Sequence, residues 1–125
     1  MIENQRIKKM LTKRVAIDTA KQFLKELQAM GYNPRKAYLF GSTVKGTMHE
    51  YSDIDLAVWD DKFKGSITLD TKPFLKLLVK YALLEVHSFN SKDDENSNPF
   101  IGVILKEGVP IEWKSNNNEG SKIDS

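Results

Sequence analysis

Two aspartates one residue apart, Asp53 and Asp55, are the side chains in this sequence best spaced for chemistry. They stand in Ser52-Asp53-Ile54-Asp55-Leu56-Ala57-Val58, where Ile54 to Trp59 reads as a strand with a carboxylate at its entry and another two residues later. Side chains alternate faces along a strand, so the two aspartates point to the same side. Like charges that close repel unless something positive sits between them, and a divalent metal is the usual answer. Upstream, Ala37-Tyr38-Leu39-Phe40 reads as a buried strand that stops at Gly41, where a run of turn-formers begins: Gly41-Ser42-Thr43-Val44-Lys45-Gly46. A glycine at a strand end lets the backbone approach a ligand with no Cβ in the way. The amides and the Ser42 hydroxyl can then donate to phosphate oxygens, and Lys45 can add a point charge to the same phosphates. An acidic pair facing a glycine-serine loop is what a magnesium-nucleotide site needs, because Mg²⁺ takes one or two carboxylates and fills much of its remaining shell with substrate phosphates.

Gly41-Ser42, ten residues, then Asp53-Ile54-Asp55 resembles the signature of the DNA polymerase β-like nucleotidyltransferase superfamily. The neighbouring residues narrow the resemblance to the minimal nucleotidyltransferases (MNT, MntA-like antitoxins), over roughly Tyr38 to Trp113. It implies an α/β (α+β) fold in which helices pack on a small mixed β-sheet. It also implies a third carboxylate on a strand beside the aspartate strand, and assigns that position to Glu85, where many relatives have aspartate. Asp53, Asp55 and Glu85 are then the catalytic and metal-holding residues, for two Mg²⁺ ions, while Gly41, Ser42 and Lys45 grip the triphosphate of ATP or another NTP. Lys45 stands where relatives usually have arginine, which keeps the charge and loses the bidentate fork. The implied reaction moves NMP, AMP from ATP, to a hydroxyl acceptor. By analogy with such proteins, that acceptor is a tyrosine of a small helical HEPN-type toxin, this chain being its antitoxin. Two other readings stand beside it: a module that neutralises a partner by contact alone, and a small-molecule nucleotidyltransferase subunit whose pocket a second chain completes.

The elements that must position these residues are legible as patterns. Gln5 to Met30 is helical, with Ile7, Met10, Leu11, Ala16, Ala20, Phe23, Leu24 and Leu27 as an apolar stripe, a break or fraying before Thr12, and Gly31 as the stop. Thr43 to Gly46 is expected to form a short helical turn aimed at the phosphates. Thr47 to Tyr51 is expected to be a loop in which His49 is a surface residue. Asp60 to Gly65 reads as a solvated polar loop. Lys72 to Ala82 reads as a helix whose core-facing stripe is Phe74, Leu75, Leu78 and Val79. Leu83 to Phe89 is the third strand, with Glu85 and His87 on one face; a glutamate there is costly to bury unpaired, so it is either exposed or answers a cation. His87 reads as a strand-end histidine bonded to backbone, with the rim of the site as its other place. Asn98-Pro99 starts a helix that ends at Gly108, and Val109 to Trp113 is an edge strand, because Pro110 cannot donate to a ladder.

At 125 residues the chain is long enough for one modest core. With no cysteine it can form neither a disulfide nor a zinc-thiolate site. No apolar run approaches the ~20 residues that cross a bilayer, and the basic N-terminus lacks a signal peptide's apolar core, so the expected place is the cytoplasm. A net charge of +2 is too small to argue for nucleic acid. Arg6, Lys8, Lys9, Lys13 and Arg14 read as a solvated helix face, with a docking surface for an acidic partner or an RNA as the alternative. Residues 1–113 are read as the domain and 114–125 as a disordered polar tail.

Overall fold

The computed structural model describes residues 2–41 and 54–113, excepting the side chains of residues 2–12. A single unbroken helix, α1, spans Ile2–Ala29. Ala16, Ala20, Phe23, Leu24 and Leu27 form its fully buried face. It ends as its sequence requires: Gly31 takes φ +101°, and the Tyr32 amide reaches back to the Leu27 carbonyl at 3.3 Å.

Strands β1 (Pro34–Phe40) and β2 (Ile54–Asp60) pair antiparallel, and β3 (Leu84–Asn90) lies parallel to β2. The short β4 (Val109–Pro110) pairs antiparallel with β1 at the edge, giving a mixed sheet of order β3-β2-β1-β4. The edge position suits Pro110, and the pairing stops there rather than continuing to Trp113. Between β2 and β3 run α2 (Ile67–Thr71), a 3₁₀ turn (Lys72–Phe74) and α3 (Leu75–Lys80). A final helix, α4 (Pro99–Glu107), is capped by the Asn98 side chain accepting from the Phe100 amide at 3.0 Å.

β2 is apolar almost throughout because both its faces are covered. Ile54, Leu56 and Val58 join Leu84, Val86, Phe63, Phe74 and the α1 stripe in the larger core. Ala57 and Trp59 face the other way, into a smaller core with Phe40, Phe89, Ile101 and Ile104 of α4.

Besides the unbroken first helix and the shorter final strand, the readings of the crossover and of Asp60 are corrected. The segment after β2 is not one helix over 72–82: helix begins at Ile67, and the 3₁₀ turn through Pro73 shifts its phase. Phe74 and Leu77 are therefore buried and Leu78 partly so, whereas Leu75 and Val79 face solvent. Nor is Asp60 solvated. It closes β2 at 0% exposure, its carboxylate accepting from the Asn33 and Lys62 amides, each at 2.8 Å. Neighbouring Asp61 is exposed and paired with Arg35 at 2.8 Å. Each partner shifts the other: the Arg35 guanidinium, with the Ser91 hydroxyl, holds the Asp61 carboxyl below its ordinary value.

Asp70 ties the crossover to the sheet. Its buried carboxylate accepts from the Lys64, Gly65 and Ser66 amides at 2.8, 2.9 and 3.1 Å and from the Ser88 hydroxyl of β3 at 2.8 Å. Asp70→Ala strands four donors and is expected to cost about 3 kcal/mol in urea unfolding, where Asp61→Ala, at a solvent-screened surface pair, leaves the midpoint nearly unchanged. At the other end of the crossover, Tyr81 donates its hydroxyl to Glu26 of α1. Burial first, then that bond, raises the Tyr81 phenol from 10.0 to about 12. Because the folded value is the higher one, this contribution to stability is complete below pH 10 and is lost as pH climbs toward 12. Alkaline unfolding curves should show that loss in the native chain and a shallower one in Tyr81→Phe.

Candidate active site

One end of the sheet gathers the polar residues singled out from the sequence. Asp55 is the second residue of β2, opposite Phe40 at the end of antiparallel β1 and opposite Glu85, the second residue of parallel β3. Glu85 and His87 follow the same alternation as Phe89, so they emerge on the face that carries the smaller core. His87 pairs in register with Ala57, whose small side chain leaves the imidazole room to lean back toward Asp55. Its Nε2 lies 3.3 Å from Asp55 Oδ1 and 3.9 Å from Glu85 Oε1. The His87 ring is held edge-on to Phe40, centroids 4.9 Å apart, with Phe100 of α4 at 6.4 Å.

Gly41 follows β1 with φ +79°, a conformation L side chains rarely adopt. A Cβ there would run into Asp55 Oδ2. The two oxygens of Asp55 thus face different ways, one against the Gly41 backbone and the other toward His87 and Glu85. Asp55 and His87 are half-buried, with side chains 24% and 19% exposed; Glu85 is the open one at 54%.

Asp55, Glu85 and His87 each offer one ligand atom, all within 4.8 Å of one another. At that range two carboxylates repel by roughly 1 to 3 kcal/mol, taking an effective dielectric between that of water and that of a protein surface. A dication between them reverses the sign, and two carboxylates plus an imidazole form a donor set that fits one. The sequence reading placed Glu85 on the strand beside Asp55, and the register puts the two opposite each other. Of the two places read for His87, bonded to backbone or at the rim of the site, the structure shows the second: it meets the Asp55 carboxylate rather than backbone. The two-residue spacing from Glu85 on one strand face was the signal for that alternative. Ser42, Lys45, His49 and Asp53, with the expected turn over 43–46, lie outside the described residues.

Residues 18–111 match the family model described as "Nucleotidyltransferase domain". The chain belongs to this family. That makes it a nucleotidyltransferase domain of the polymerase β-like type, as its Gly41-Ser42 and Asp53-Ile54-Asp55 spacing led one to expect. A solved structure from Sulfolobus solfataricus, described as that of a nucleotidyltransferase, shares the fold with a TM-score of 0.54 over 82% of this chain and 84% of the other, at 17% identity. No curated protein matches the chain. No helix among the described residues is long and apolar enough to cross a membrane.

In this nucleotidyltransferase the contact between Gly41 and Asp55 leaves no space for a methyl group. Gly41→Ala should push the Asp55 carboxylate aside and cost about 10²-fold in nucleotidyl transfer, the scale of an ångström-sized misplacement. Circular dichroism should meanwhile report the native helix and sheet content.

Proposed function

We propose that this nucleotidyltransferase moves AMP from ATP to a hydroxyl acceptor, a tyrosine of a small helical HEPN-type partner, and so acts as the antitoxin of a toxin–antitoxin pair. The observation that carries the reaction class is Asp55 held in register opposite Glu85 and against a glycine of positive φ. The acceptor rests on the resemblance to minimal nucleotidyltransferases.

In this reading Asp53, Asp55 and Glu85 hold Mg²⁺, Asp53 by the strand alternation that puts it on the side of Asp55. When bound, the dication neutralises charge that builds on the transferred phosphate. Gly41 and Ser42 present backbone and hydroxyl donors to the outgoing pyrophosphate, and Lys45 adds a charge to it. Glu85, the most exposed acid of the cluster, is the group open to an incoming acceptor and accepts its hydroxyl proton. Positioning and charge neutralisation supply most of the rate.

Incubating the full chain with Mg²⁺, its neighbouring gene product and ATP labelled at the α- or γ-phosphate tests the proposal. Label from the α-phosphate alone should appear on a partner tyrosine, and Asp55→Asn should abolish it. Transfer of the γ-label would mean phosphoryl transfer and end the proposal. Label on a small molecule instead of the partner would overturn the acceptor.

A further inference from the structure

The usual donors for Mg²⁺ are oxygens, which it holds in a nearly ideal octahedron; imidazole suits Fe²⁺, Ni²⁺, Cu²⁺ and Zn²⁺ best, and of the two harder ions Mn²⁺ accepts it more readily than Mg²⁺. The cluster at the end of β2 and β3 is not all oxygen. His87 Nε2 stands 3.3 Å from Asp55 Oδ1. Two ligands of one small dication, each about 2.1 Å from it, are separated by about 3.0 Å at an octahedral right angle and about 3.4 Å at a tetrahedral one. The His87–Asp55 distance falls inside that interval. The 3.9 Å to Glu85 Oε1 is wider, but Glu85 is 54% exposed and can close by a change of rotamer. His87 has less freedom: its ring sits edge-on to Phe40 and is only 19% exposed, with Nε2 turned toward Asp55.

Resting on the nucleotidyltransferase reading above, we propose that His87 ligates the catalytic dication through Nε2, giving a mixed nitrogen–oxygen site that binds Mn²⁺ in preference to Mg²⁺. Asp55 gives Oδ1 to this ion and keeps Oδ2 on the Gly41 side. The competing role for the same geometry is a His87 that only donates an N–H to Asp55 and positions it.

Nucleotide-free full-length protein separates the two. Mn²⁺ titration followed by electron paramagnetic resonance should show binding on the order of 10-fold or more tighter than Mg²⁺ measured by competition. Pulsed electron paramagnetic resonance of the Mn²⁺ complex should show coupling to an imidazole ¹⁴N. His87→Ala should remove that coupling and lower Mn²⁺ affinity by about 10-fold or more, with Mg²⁺ affinity changing less than about 3-fold. Mn²⁺ bound without nitrogen coupling, or no tighter than Mg²⁺, overturns the proposal, and the first of these measurements needs no variant to fold. Failure of the underlying reading looks different: Asp55→Asn would leave affinity for both ions unchanged, and no α-label would move from ATP.

Discussion

The parallel register of β2 on β3 holds Asp55 opposite Glu85, and the geometry of the site follows from it. Left to electrostatics the two acids would separate, at a gain of roughly 1 to 3 kcal/mol. Their backbone positions cannot, because the same register buries Leu56 with Val86 on one face and Trp59 with Phe89 on the other, which leaves only the exposed Glu85 side chain free to turn away. Each such side chain contributes about 1.5 to 3 kcal/mol by leaving water, and a slip by one residue would turn all of them to the wrong face. The hydrophobic cores therefore impose a charge arrangement that the site itself does not favour until a cation completes it.

The molecule handles its other buried carboxylates differently. Asp60 and Asp70 are saturated by backbone amides, so their charge is spent on closing β2 and on anchoring the crossover. Among the described residues Asp55 accepts from no amide, and its partner is His87. Carboxylates of one residue type thus divide into structural and available ones, according to whether the backbone satisfies them first.

Much of the site's composition was legible in advance. The two-residue period of a strand put Asp55 on a usable position, the family resemblance assigned Glu85, and Gly41 was read as a strand-end glycine that keeps a Cβ out of the way, which its φ of +79° fits. Asp60 was misread and His87 was left between two places for a shared reason. Whether an acid at a strand end is solvated, or a histidine meets backbone or a carboxylate, depends on atoms contributed by distant segments: Asn33 lies 27 residues from Asp60, and Asp55 lies 32 from His87.

The helical stripe of α1, its glycine stop, the Asn98 cap and the edge placement of Pro110 were set by local chemistry, which short segments carry on their own. The phase of the crossover was not, since the 3₁₀ turn that buries Leu77 and exposes Leu75 comes with Phe74 packed in the core shared by α1 and β2, which the local sequence does not supply. So the sequence by itself determined which chemical groups are present and which strand face each occupies. Tertiary structure alone decided which of them meet, because strand register is chosen by the packing of both sheet faces at once.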